Sequence, residues 1–375
     1  MTQWYYPSHM RDRRIPPESS PSPRPPLKGR GAVGNPDARF NTHTREAVDD
    51  GWTADESAPA LATSVTVETA RTIISRNHSP DLPFEQSVNA YRGCEHGCIY
   101  CYARPSHAYL GLSPGLDFES RLFAKPDAAD LLRRELGSKG YVCKPIALGT
   151  NTDPYQPIER ERRITRKILE VLSDCRHPVS ITTKSALIER DIDLLAALAE
   201  RNLAQVQISL TTLNRKLARV MEPRAAAPER RLTVMRRLSD AGIPVTALIA
   251  PVIPFLTDAE LENLLEHSAA AGAAHANYIM LRLPLELKEL FADWLETHFP
   301  LKKKHVLSRL EELHGGKLYD PSFRTRQTGS GIFAELMSQR FRLALRKLGL
   351  DASVLKLDTT QFQAPRRAGE QLELF

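Results

Sequence analysis

The sequence predicts an α/β protein, a series of βα units around a parallel sheet with added C-terminal helices and disordered N- and C-terminal tails. Three observations predict it. Six short apolar, strand-like runs alternate with amphipathic helical patterns. A further long helical pattern, at 330–348, follows that alternation. Nine of the 27 prolines fall within the first sixty residues, where apolar periodicity is almost absent.

In chain order, residues 1–60 read as a disordered Pro/Arg-rich tail. The stretch from Pro16 to Pro26 buries too little apolar surface to offset its ordering entropy. Strands are expected at 86–91, 145–149, 179–183, 206–210, 245–250 and 278–283. Helices are expected after them at 127–136, 164–173, 191–201, 230–241, 258–271 and 285–298. Only the first strand is followed by a long intervening segment. Six units are too few for the usual eight-stranded closed barrel, which leaves an open doubly wound sheet or a partial barrel. Residues 301–350 form a basic helical region and 358–375 a flexible tail. No internal repeat is visible.

Hydrophobic residues make up 42% of the chain, enough for a substantial core. The net charge of +6 favours anionic partners. No apolar stretch approaches the roughly 20 residues that span a bilayer. Residues Met1 to Arg14 contain no apolar signal core. The expectation is therefore a cytoplasmic protein with no membrane partner, whose thiols stay reduced.

Three of the five cysteines lie within eight residues: Cys94, Cys98 and Cys101, spaced C-x3-C-x2-C in the loop after the first strand. Such a trio suits metal ligation better than disulfide pairing. Three thiolates on a short loop can hold an iron–sulfur cube, and Gly93 and Gly97 let the backbone bend around it. Cys143 and Cys175 lie 42 and 74 residues beyond Cys101, so one iron would stay open for a small ligand. The alternative is a zinc site completed by His96 or His107. His96 otherwise reads as a solvated loop residue. Cys143 and Cys175 read as buried small hydrophobes, away from the chemistry.

At these residues the chain resembles the radical S-adenosylmethionine (SAM) superfamily, whose signature C-x3-C-x-aromatic-C is matched by Cys94, Cys98, Tyr100 and Cys101. The resemblance covers about residues 83–300 and implies a partial (β/α)6 TIM-like barrel. It implies a 4Fe–4S cluster on the three cysteines and SAM as cofactor. It also implies an external electron donor and cleavage of SAM to a 5′-deoxyadenosyl radical that abstracts a substrate hydrogen. Within the superfamily the chain is most similar to the spore photoproduct lyase-like group. The segment Gly149-Thr150-Asn151-Thr152-Asp153-Pro154-Tyr155-Gln156-Pro157-Ile158-Glu159 carries that likeness. Many members have Gly-Gly-Glu there to grip the SAM amino group. Here Thr150, Asn151 and Asp153 offer comparable acceptors.

By the same resemblance Lys184 meets the SAM carboxylate and Ser209 the ribose, while Glu222 and Arg224 match the group's pattern. The loop 250–254 would face the adenine. Each of these has a plainer reading, since polar residues at strand ends also cap helices. Tyr102, Tyr109 and Tyr155 read as packing or pocket-wall residues. The lyase is expected to use a late cysteine as hydrogen donor. This chain has none after Cys175, so that step is not carried over and no catalytic donor is assigned.

Residues 301–350 hold eleven Lys/Arg against four acids, interleaved with Phe323 and Phe341. Cations with aromatics suit nucleic acid, while a solvated helix face with buried aromatics is the plainer reading. Gln371-Leu372-Glu373-Leu374-Phe375 resembles the pentapeptide with which bacterial DNA polymerases and repair proteins dock on the β sliding clamp. The favoured function is a radical SAM enzyme acting on nucleic acid, in DNA repair or modification. The alternatives are the same chemistry on a protein or small molecule, and a non-catalytic iron–sulfur module.

Overall fold

A computed structural model describes residues 27–41, 61–323, 325–351 and 356–365. Ten strands occur among them. They are β1 Ser64–Val67, β2 Ile74–Arg76, β3 Gln86–Val88, β4 Tyr91–Arg92, β5 Arg121–Ala124, β6 Ile146–Leu148, β7 Val179–Thr183, β8 Ala204–Ser209, β9 Val245–Val252 and β10 His275–Met280. The main sheet runs β10-β9-β8-β7-β6-β3-β2. Its six strands from β3 to β10 are parallel and are the six runs expected from sequence. β2 adds antiparallel to β3 at the edge.

A continuous parallel series in chain order, each strand followed by a helix on one side, is the partial (β/α)6 barrel. Val179, Ile181, Val206, Ile208, Ala247 and Ile249 are buried in the sheet, as helix-covered parallel strands require. Loops rather than strands meet across the gap in the barrel. Arg326 pairs with Asp81 at 2.5 Å, and Arg39 with Glu286 at 2.7 Å.

The helices fall where amphipathic spacing places them, including Ile164–Asp174, Pro228–Asp240 and Leu287–His298. Pro300–Leu313 and Ile332–Leu348 are the added C-terminal helices. No helix among the described residues is long and apolar enough to cross a membrane. A small second sheet, β1-β5-β4, packs beside the loop after β4.

Two expectations about the tails need correction. Within the expected disordered tail 1–60, residues 27–41 pack against the protein, with Arg30, Ala32 and Ala38 buried. Polar anchoring replaces the missing apolar pattern. The Gly31 and Ala32 amides donate to the buried Glu119 carboxylate at 2.9 and 2.8 Å, and Arg30 donates to the Glu119 carbonyl at 2.7 Å. The stretch Pro16 to Pro26 lies outside the described residues.

Within the expected flexible tail 358–375, residues 358–365 form a strap across the N-terminal ends of the barrel strands. The Asp358 and Gln363 amides donate to the Asn202 and Cys175 carbonyls at 3.0 and 2.9 Å. Phe362 packs on Tyr141 and His177 with ring centres 5.4 and 5.3 Å apart. The pentapeptide 371–375 lies outside the described residues.

Candidate active site

The cysteine loop sits over the C-terminal ends of the parallel strands, the end at which βα folds assemble their chemistry. Gly93 and Gly97 hold positive φ of 73° and 67°, a region open to glycine at little cost. A Cβ on Gly97 would meet Glu119 Oε2 at 2.8 Å, so the loop is also packed too tightly there for a side chain.

Arg104 ties the loop from within. Its Nε donates to the Cys98 carbonyl at 2.9 Å and its Nη2 to the Gly97 carbonyl at 3.2 Å, and it forms a fully buried ion pair with Glu119. Gln156 clamps the other side, accepting from the Glu95 amide at 3.0 Å and donating to the Gly93 carbonyl at 3.3 Å.

Cys94 and Cys98 are buried and Cys101 is partly exposed; all three are free thiols. Burial pushes the Cys94 thiol up, and the neighbouring Asp153 and Cys98 push it further. Burial also pushes Cys98 up, against the pull of the Lys184 ammonium. A thiol trio with two members buried gains from a bound cation that takes the thiolate charge.

The zinc alternative fits less well. His96, expected to be solvated, is 3% exposed and turns Nδ1 toward Asp153 at 3.3 Å. His107 lies between Phe118 and Phe123 with Nε2 on the Arg121 carbonyl at 2.9 Å. Among the described residues no three His, Cys, Asp or Glu side chains close on one point as a single ion requires. A cube is wider, each thiolate sitting on its own iron, so the donor set fits a cluster with three protein ligands.

Asp153 is already engaged by the protein. It accepts from Thr183 Oγ1 at 2.7 Å, the Lys184 amide at 2.9 Å and the Tyr155 amide at 2.8 Å. Burial alone would raise its carboxyl, but His96 and these donors hold it down at about 2. Glu222 is engaged as well. It is buried, takes an ion pair from Arg231, and accepts from the Tyr100 hydroxyl and from Thr211 Oγ1 at 2.9 Å.

Arg231 in turn donates to the Ser209 carbonyl at 3.0 Å, and Ser209 Oγ donates to the Ala250 carbonyl at 3.2 Å. Asn89 organises the segment after β6. It donates to Thr150 Oγ1 at 3.1 Å and accepts from the Asn151 amide at 3.0 Å. Lys184 keeps an open head: its ammonium lies 5.7 Å from the Tyr100 ring centre, and among the described residues it has no carboxylate partner.

The structure thus brings Tyr100, Thr150, Asn151, Asp153, Lys184, Ser209 and Glu222 around one loop. Arg224 reaches that loop from outside, through Glu95 at 2.6 Å. Asn89, Arg104, Glu119 and Arg231 carry no signal in the sequence, and Gln156, inside the segment 149–159, has no role assigned from it.

Half of the ten described cations in the basic region are paired. Lys303, Arg309, Arg326, Arg340 and Lys347 pair with acids, and Phe341 packs on Tyr278. Phe323 stays 48% exposed.

Residues 88–267 match the model of the radical SAM superfamily. An uncharacterized protein of Mycobacterium tuberculosis is 38% identical over 246 residues, 65% of this chain and 71% of that protein. An uncharacterized protein of Methanocaldococcus jannaschii is 31% identical over 216 residues, 57% of this chain and 76% of that protein. The structure of spore photoproduct lyase complexed with dinucleoside spore photoproduct superposes with a TM-score of 0.55 at 16% identity, covering 76% of this chain and 79% of that one. That likeness is one of fold. The chain belongs to the radical SAM superfamily and is a radical SAM enzyme.

Proposed function

We propose that Cys94, Cys98 and Cys101 hold a 4Fe–4S cluster with one open iron for SAM, and that the enzyme acts on nucleic acid in DNA repair or modification. The observation that carries the cofactor assignment is the thiol trio, set at the barrel mouth beside the Lys184 ammonium, which has no carboxylate partner among the described residues. When bound and reduced, such a cluster supplies the electron that splits SAM into methionine and a 5′-deoxyadenosyl radical.

The chain's own residues bind, orient and exclude water. Lys184 is placed to donate to the SAM carboxylate. Thr150 and Asn151, fixed by Asn89, present acceptors for its amino group. Ser209 Oγ can still accept from a ribose hydroxyl. Asp153 and Glu222 act through the groups they hold: Asp153 sets the Lys184 backbone, and Glu222 sets Tyr100 against the loop.

The nucleic-acid reading is supported by the surplus of cations and by the fold shared with an enzyme bound to a dinucleoside photoproduct. Residues 371–375 would dock on the β sliding clamp and bring the enzyme to DNA.

Anaerobic reconstitution followed by dithionite reduction tests the chemistry, with 5′-deoxyadenosine as readout. Cys94→Ala, Cys98→Ala and Cys101→Ala are expected to lose cluster absorbance and SAM cleavage, while Cys143→Ala and Cys175→Ala keep both. Cluster loss in either of the last two would overturn the ligand assignment. Salt-dependent binding of DNA tests the substrate class.

A further inference from the structure

Arg282 is a cation of the barrel mouth that the reading above leaves unused. It follows β10 by two residues, and its guanidinium carbon lies 5.1 Å from the centre of the Tyr102 ring. Tyr102 directly follows Cys101, is 48% exposed, and donates its hydroxyl to the Thr150 carbonyl. Arg282 therefore stands beside both the cysteine loop and the segment after β6.

Its surroundings leave its N–H donors unanswered. Burial weighs against the charged form, and among the described residues no side chain hydrogen-bonds to it. Asp81 is within electrostatic range but is held by Arg326 through two contacts of 2.5 Å and by Gln327 at 3.1 Å. One carboxylate shared by two guanidinium groups leaves a net positive charge. An aromatic face answers the charge of Arg282 but not its five N–H donors.

A further unmet polar group lies close by. His314, at the end of the helix Pro300–Leu313, rests Nε2 on the Leu281 carbonyl at 3.3 Å and leaves Nδ1 buried without a partner among the described residues.

A planar fork with open donors is suited to bidentate oxyanions. Exposed rings next to it narrow the class. Tyr102 is one, and Phe323, with the Arg326 guanidinium 4.7 Å from its centre, is another. Cations flanked by exposed rings hold nucleotides, phosphate on the cation and base on the ring. We propose that Arg282 binds a phosphate oxygen of a nucleotide substrate at the barrel mouth, with Tyr102 as the adjacent stacking face. The proposal rests on the nucleic-acid reading and gives it a contact point.

The test uses full-length protein with reconstituted cluster and SAM, as wild type, Arg282→Gln and Arg282→Lys. Two fluorescein-labelled single-stranded oligonucleotides of one sequence serve as probes, one with phosphodiester and one with neutral methylphosphonate linkages. Thymidine monophosphate is a third, small probe. Arg282→Gln is expected to weaken phosphodiester binding by roughly ten- to a hundredfold. Arg282→Lys should lose less. Methylphosphonate binding should be weak and equal in all three proteins, with SAM affinity and cluster absorbance unchanged.

Unchanged phosphodiester affinity in Arg282→Gln overturns the proposal and leaves the nucleic-acid reading standing. Equal loss for both oligonucleotides overturns the phosphate contact. Loss of SAM affinity or of cluster absorbance overturns it too, because Arg282 would then belong to the cofactor site. If wild type ignores both oligonucleotides but binds the monophosphate through Arg282, the phosphate site stands and the nucleic-acid reading falls. If wild type binds none of the probes, both fall.

Discussion

Gly31→Ala should loosen the cysteine loop from a position outside the barrel. A Cβ at residue 31 would lie 1.8 Å from the Gly97 carbonyl oxygen, against 3.4 Å for ordinary contact. The obstacle is backbone on both sides, so the segment 27–41 must retreat by about 1.6 Å. That retreat takes the Gly31 and Ala32 amides away from Glu119, which they now reach at 2.9 and 2.8 Å. Hydrogen bonds to a charged group contribute about 1.5–3 kcal/mol each, and water restores part of the loss. The expected cost is about 3 kcal/mol.

Urea unfolding of the metal-free protein measures that cost, and iron content after reconstitution reports its effect on the cluster. Gly34→Ala is the control. It lies in the same segment, and its Cβ would meet nothing within 4 Å, so a change below about 0.5 kcal/mol is expected. Equal unfolding midpoints and equal iron content in the two variants would refute the account of the arm as the loop's support.

Two other outcomes follow from the same structure. Lys184→Ala should weaken SAM binding about ten- to a hundredfold while leaving cluster absorbance intact, because one charge-assisted hydrogen bond to a carboxylate is removed; equilibrium dialysis with labelled SAM reads this, and unchanged affinity counts against the assignment. Burial holds His177 down at about 4, so its neutral form is favoured in the fold. The unfolded chain binds that proton more readily, so this contribution is complete above about pH 6.5 and is lost as pH falls from there toward 4, up to about 3 kcal/mol. His177→Gln should flatten the fall in unfolding free energy between pH 7 and pH 5 relative to wild type, and parallel pH profiles would exclude this role.

How far the sequence could be read depends on what holds each part. Strands β6 to β9 lie within two residues of expectation because buried apolar residues recur at every second position, as Ile146 and Leu148, Val179 and Ile181, Val206 and Ile208, and Ala247 and Ile249 do. β10 starts three residues earlier than the expected 278. His275 and Asn277 disguise its beginning, and Leu281 to Leu283 belong to the exit loop, where the Leu281 amide still bonds the Val252 carbonyl at 3.0 Å.

β1, β2, β4 and β5 are two to four residues long, and β1 and β2 are mostly exposed, so no period marks them. The cysteine loop was legible because iron ligation demands fixed spacing. Its supports were not. Arg231 sits among other arginines on its helix, and nothing in the order of residues links Gly31 to Glu119 or His96 to Asp153. Those are long-range polar contacts, which leave no periodic trace.

The strap of residues 358–365 has a consequence for delivery. It fastens the chain to the barrel floor, beside Cys175, Arg201 and Asn202, on the side away from the thiols. The pentapeptide 371–375 begins six residues past Pro365, and six extended residues reach about 20 Å at most. If a clamp grips that pentapeptide, the enzyme hangs from it by the floor on a short leash. The tether point then lies at the end of the barrel opposite the thiols.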